Sequence, residues 1–167
     1  MKKKALVGHL GTHFDVMNKE FPLEYTKREA VVFDVSHVLP REITVSDIDS
    51  GKVQKDMFVA FYTGFLEKEG YGGNTYFTEH PQLSVELVDF LLDRGVSIIG
   101  IDFAGVRRGK GHTVTDQYCA DRDTFIVENL CNLQSVLSIS DTFTVNTYPM
   151  NYAEMTGLPC RVIAQVE

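Results

Sequence analysis

Short apolar, β-branched runs recur along the chain at residues 5–7, 30–35, 57–62, 97–102, 125–127, 143–148 and 161–166. Each is bounded by turn residues or charges, the pattern of strands. Residues 84–94 read differently. Ser84 can serve as an N-cap, Leu87, Val88, Leu91 and Leu92 share one apolar helical face, and Gly95 follows as a stop. Shorter helices are predicted over 44–48 and 115–122. The helix at 84–94 leads into Ile98-Ile99-Gly100-Ile101, whose nearly continuous apolar character predicts a strand covered on both faces. Helix followed by covered strand is the grammar of an α/β layer. Residues 67–78, with Gly70, Gly72, Gly73 and Asn74, are expected to form a long loop. Residues 105–111, carrying Arg107, Arg108 and Lys110, are expected to form another. No internal repeat, low-complexity tract or linker divides the chain.

At 167 residues the chain fits one domain with a substantial core. A net charge of −7 and the lack of a basic stripe argue against nucleic acid as a partner. The one basic run of three, Lys2-Lys3-Lys4, reads as a solvated chain end. The apolar stretch after it is too short for a signal-peptide core, and no stretch approaches a membrane-spanning length. Cys119, Cys131 and Cys160 are odd in number and lack Cys-x-x-Cys spacing, so they are expected to be reduced and buried in a cytoplasmic protein.

Candidate chemistry concentrates in His9-Leu10-Gly11-Thr12-His13-Phe14-Asp15, which offers three metal ligands within seven residues. In an extended segment His9, Gly11, His13 and Asp15 point to one face. Thr12 favours strand, and Gly-Thr between the histidines argues against a helix. Two neutral imidazoles and a carboxylate suit a divalent ion that accepts both nitrogen and oxygen.

This motif resembles the His-x-Gly-Thr-His-x-Asp signature of the cyclase family, which includes bacterial kynurenine formamidases and isatin hydrolases. Phe61-Tyr62-Thr63-Gly64-Phe65 is similar to the family's Arg-Thr-Gly-Trp strand end. His80-Pro81-Gln82-Leu83-Ser84, with Gly100-Ile101-Asp102 after the helix, resembles its Pro-Gly-Leu-Ser and Gly-Ile-Asp block. Ile126-Val127-Glu128-Asn129-Leu130, with Asn132-Leu133, resembles its Val-Glu-Asn-Leu-x-Asn-Leu block. The resemblance implies a single-domain α/β chain over 1–167, the swivelling β/β/α fold with a mixed sheet and few helices. It implies hydrolysis of small amides at one or two divalent ions, zinc or manganese. His9, His13, Asp15 and Glu128 would be ligands, and Asp116 stands where the family usually has a further His ligand. Lys19 stands where the family's proton-transfer His is expected. The chain begins eight residues before His9, shorter than the family's usual leading segment. This predicts a more open pocket or closure by another subunit of a homo-oligomer.

If these ligands converge, the repulsion among three carboxylates calls for one or two cations. Asp116 in place of an imidazole hardens the set, so manganese or iron gains beside zinc. Metal-assisted hydrolysis then follows, with an activated water and a polarised carbonyl. The proton needs a carrier: Lys19 if burial depresses its pKa, His112, which lies one helical turn from Asp116, or an uncommitted carboxylate. His37 and His80 read as structural. Arg107, Arg108 and Lys110 could attract an anionic substrate or form a solvated loop, and Tyr71, Tyr76 and Phe77 could wall an aromatic pocket or simply pack. The leading reading is a metal-dependent hydrolase of a small amide or cyclic amide, arylformamidase-like. The alternative is a degenerate relative that binds metal or a small ligand without turnover. Last comes a structural motif that binds no metal.

Overall fold

The computed structural model describes residues 7–139 and 142–166. Among these, eight strands form one curled mixed sheet in the order β7-β1-β5-β4-β3-β2-β6-β8. The strands are β1 (His13–Asp15), β2 (Lys27–Asp34), β3 (Phe58–Tyr62), β4 (Ile98–Ile101), β5 (Phe125–Glu128), β6 (Phe143–Thr147), β7 (Gly157–Pro159) and β8 (Val162–Gln165). The centre, β2-β3-β4-β5, is parallel. The flanks β1, β7, β6 and β8 are antiparallel.

The alternation along the central strands divides the core. Val31, Phe33, Val59, Phe61, Ile99, Ile101 and Ile126 pack on one face with the main helix. Ala30, Val32, Phe58, Ala60, Ile98, Phe125 and Val127 line the inside of the curl. Gly100 belongs to this inner face. A side chain there would meet Phe58 at 2.7 Å and Leu130 at 2.8 Å, so the strand can lie close to both only as glycine.

Five α-helices are described: α1 (Phe65–Glu69), α2 (Asn74–Thr78), α3 (Val85–Asp93), α4 (Gly111–Ala120) and α5 (Leu133–Leu137). α3 forms as its sequence predicts. Ser84 accepts a hydrogen bond from the Leu87 amide at 3.1 Å, and Leu87, Val88, Leu91 and Leu92 are buried. Gly95 ends the helix at φ +70°, a conformation that glycine adopts at little cost.

Other expectations need correction. The loop expected over 67–78 contains α1 and α2, which sit on either side of the glycines at 70, 72 and 73. The helix expected over 115–122 begins four residues earlier, at Gly111. The helix expected over 44–48 is a single 3-10 turn, Val45–Asp47, in which Thr44 and Asp47 form a capping box. β7 has no apolar run to announce it. Of the strand expected over 5–7, residues 5 and 6 lie outside the described residues, as does Lys2-Lys3-Lys4, and Val7 is in a turn. The cysteines are free thiols, but Cys119 alone is buried, and Cys131 is exposed in the turn before α5. Among the described residues no helix is long and apolar enough to cross a membrane.

Candidate metal centre

Two strands and one helix bring the titratable residues together. The antiparallel β1–β5 pair sets His13 opposite Glu128, Phe14 opposite Val127 and Asp15 opposite Ile126. His13, Asp15 and Glu128 therefore share one face, and Phe14 is fully buried on the other. α4 packs against β5 on the ligand face. Its i,i+4 spacing presents His112 and Asp116 together, with His112 Nε2 3.3 Å from Asp116 Oδ2.

The His9–Asp15 segment is extended only from His13 onward. Gly11 lies at φ +61° and turns the chain, so His9 folds back toward His13 instead of following it along a strand. The two rings meet edge-on, their centroids 4.9 Å apart. His9 Nδ1 lies 3.1 Å from His13 Nε2 and 2.9 Å from Asp15 Oδ1. His13 Nε2 lies 3.4 Å from Asp15 Oδ1 and 3.6 Å from Glu128 Oε2. On the far side, His112 Nε2 is 3.1 Å from Glu128 Oε1. Donor atoms of His9, His13 and Asp15 all lie within 4.8 Å of one another, as do those of Asp15, His112 and Asp116. Asp15 is common to both groups.

Partners beyond the cluster orient the rings. His13 Nδ1 donates to the Gly11 carbonyl at 2.8 Å, which leaves Nε2 of a neutral ring with its lone pair toward the carboxylates. His9 Nε2 is held 2.9 Å from the Thr156 hydroxyl, which directs Nδ1 inward.

The buried oxygens carry the case for a cation. Both carboxylate oxygens of Asp15 and Oδ1 of Asp116 are buried without a hydrogen-bond partner. His9 Nδ1 is close to Asp15 Oδ1 yet makes no aligned hydrogen bond to it. His9 Nδ1 hydrogen-bonds to His13 Nε2 instead, which leaves the Asp15 oxygens unsatisfied. Orphaned buried carboxylate oxygens are costly, and a divalent ion would satisfy them. The electrostatics agree. Burial and the neighbouring Asp15 charge push the carboxyls of Asp116 and Glu128 upward. Burial alone would raise Asp15 too, but His13 and His9 outweigh it and hold that group well below the usual carboxylate range. The mixed nitrogen and oxygen set fits zinc, manganese or iron.

The Cyclase family model matches residues 2–107, a stretch that holds the His9–Asp15 motif. The chain belongs to the cyclase family. Solved structures share its fold. Isatin hydrolase A from Labrenzia aggregata, bound to benzyl benzoate, is 22% identical with a TM-score of 0.76 over 92% of this chain and 72% of that one. Isatin hydrolase A from Ralstonia solanacearum is 20% identical with a TM-score of 0.77, covering 94% and 72%. A predicted metal-dependent hydrolase from Bacillus stearothermophilus is 21% identical with a TM-score of 0.73, covering 93% and 76%. No curated protein matches the chain.

Within this cyclase-family fold, His9, His13, Asp15, Asp116, Glu128 and His112 converge, and Lys19 does not join them. Lys19 Nζ lies 2.8 Å from Asp121 Oδ1, and both side chains are about half exposed. The basic loop also turns elsewhere. Arg107 donates to Glu42 and to the Leu83 carbonyl, and the Arg108 amide donates to Gln82. His80 is buried and stacked on Phe103, a structural role. The cleft beside the cluster has walls from Leu10, Tyr71 and Phe77, with His112 at its edge. The sequence reading did not find Thr156, which carries no signal of its own, or Asn129, which follows Glu128 directly in its block.

Proposed function

We propose that this chain is a metal-dependent hydrolase of a small amide or cyclic amide. The observation that carries the reading is the unsatisfied Asp15 carboxylate, buried between two groups of donor atoms that share it. His9, His13 and Asp15 would hold the ion, with Glu128 and Asp116 completing the set. Zinc and manganese both suit it. When bound there, a divalent ion supplies Lewis acidity toward water and an amide carbonyl.

The chain's own residues do the rest. Leu10, Tyr71 and Phe77 border a crevice of about 20 Å³ beside the cluster, room for about one water. The Asp116 and Glu128 carboxylates would stay with the ion as ligands, so the proton released by water needs a separate carrier. His112 is partly exposed at the edge of the cleft and lies 3.1 Å from Glu128, so it can pass that proton to the leaving nitrogen. Of the carriers that the sequence offered, His112 is the one beside the cluster, whereas Lys19 pairs with Asp121. A second reading has its own support. The Asp15, His112 and Asp116 grouping suits a second ion, with His112 as its ligand. Self-association fits the exposure of Leu23, Tyr148, Met150 and Tyr152 around one further cleft.

Elemental analysis before and after His13→Ala tests the reading, joined to a panel of small amides and lactams assayed with and without chelator. The expected result is one or two equivalents of metal, lost in the variant, and turnover that chelation abolishes. Metal without any turnover would leave a binding protein. No uptake of zinc, manganese or iron would overturn the hydrolase.

A further inference from the structure

The carbonyl oxygen of Gly11 accepts two hydrogen bonds. One comes from His13 Nδ1 at 2.8 Å and the other from Asn129 Nδ2 at 2.9 Å. Asn129 is buried immediately after Glu128 and sits at φ +59°, a left-handed conformation that asparagine tolerates better than most residues. Its remaining groups are also engaged. The backbone amide donates to the Phe103 carbonyl at 3.2 Å, and the backbone carbonyl accepts from the Thr12 hydroxyl at 2.9 Å. The side-chain oxygen accepts from the Tyr76 hydroxyl at 2.6 Å.

The contact with the Gly11 carbonyl decides which way the amide faces. Burial, with the Glu128 and Asp102 carboxylates nearby, pushes the Tyr76 phenol far upward, so its hydroxyl stays protonated and donates. The Gly11 carbonyl can only accept, so the NH2 end must face it, and Oδ1 is left to accept from Tyr76. Tyr76 is itself fixed: it is fully buried, stacked on Phe65 at 5.8 Å and edge-on to Phe77 at 5.4 Å. Gly11 itself has no side chain and lies at φ +61°; its amide is held by the Tyr71 hydroxyl at 2.9 Å and its carbonyl by Asn129.

We infer that Asn129, held by Tyr76, is a positioning residue for the His13 ligand, fixing the Gly11 carbonyl that receives the His13 Nδ1 proton. The role rests on the proposed metal centre. It makes α2 part of that centre although no residue of α2 reaches the ion. Loss of an outer partner of a ligating histidine typically weakens metal binding by about 10- to 100-fold.

The test measures zinc affinity by competition with a chromophoric chelator for the unaltered protein, Asn129→Gly, Tyr76→Phe and Thr124→Val. Glycine keeps the left-handed backbone without strain. Thr124→Val removes a buried hydrogen bond to Val96 at the opposite end of β5, a loss of fold stability away from the centre. The first two variants are expected to bind zinc about 10- to 100-fold more weakly, with Thr124→Val unchanged. In zinc-loaded protein carrying 15N-labelled histidine, the His13 Nδ1–H signal should be protected, and Asn129→Gly should lose it to solvent exchange. Unaltered affinity and an intact Nδ1–H signal in both variants would overturn the positioning role and leave the hydrolase standing. An equal loss in Thr124→Val would also overturn it, as a general effect of stability. Failure of the unaltered protein to take up zinc, manganese or iron would overturn the metal centre itself, and the role with it.

Discussion

Gly157 and His9 are in contact across the start of the curled sheet, so close that a Cβ on Gly157 would lie 2.9 Å from the His9 ring carbon Cδ2. The opposite approach is tighter still, since a Cβ on Gly8 would run into the Gly157 carbonyl. This pair of glycines seats the His9 imidazole against its Thr156 partner. The centre therefore depends on a contact that involves no ligand atom.

Gly157→Ala should push the His9 ring out of place. Zinc affinity measured by chelator competition is expected to fall by about 10-fold or more, as for loss of an outer partner. Affinity equal to that of the unaltered protein would mean that the ring tolerates the methyl group.

His112→Ala separates proton transfer from ligation. As a proton carrier, His112 should leave metal content intact while kcat falls by about 10²- to 10⁴-fold. Elemental analysis of the same sample decides the matter: loss of one metal equivalent would assign His112 to a second ion instead.

Without metal, stability should decline with rising pH. Burial opposes the charge on His13, but Asp15 and Glu128 outweigh it and lift the ring to about 9. The unfolded ring releases its proton near 6.5. Below that pH both states hold the proton and the contribution is complete; as pH climbs through 9 it is lost. Asp116 and Glu128 act in the same direction, because the folded chain keeps protons that the unfolded chain has released. The melting temperature of chelated protein should therefore drop between pH 6.5 and 9, by about 2–4 °C for each kcal/mol. Zinc-loaded protein should not follow, since an ion displaces those protons. Parallel profiles for the two forms would contradict this account.

Leu91→Ala, in the middle of α3, should cost about 2–5 kcal/mol in denaturant unfolding. Leu91 is fully buried in the core on the helix face and touches no ligand. Zinc affinity of the folded variant should stay unchanged, and a large loss would tie the centre to α3 packing.

Local chemistry accounts for what was legible in the chain. β2 to β6 and β8 follow from their apolar runs, and α3 from a cap, an apolar face and a terminal glycine. His13, Asp15 and Glu128 lay in recognisable motifs, and the β1–β5 register brings them together. β7 was invisible because Gly157-Leu158-Pro159 has the composition of a turn and becomes a strand only by pairing with β1. The His9 side of the motif was expected to be extended because odd spacing suits a strand. The positive φ of Gly11 is imposed by Tyr71, whose hydroxyl accepts from the Gly11 amide, and by Asn129. His112 was legible as a candidate one helical turn from Asp116, but its place beside Glu128 depended on where α4 begins. Gly109 and Gly111 hid that start.

Thr156 reaches His9 across 147 positions of chain. During synthesis, the motif emerges well before the hydroxyl that orients its first imidazole exists. Until β7 docks on β1, His9 has no Thr156 and no Gly157 beside it, so the ring takes its native place only after that pairing forms.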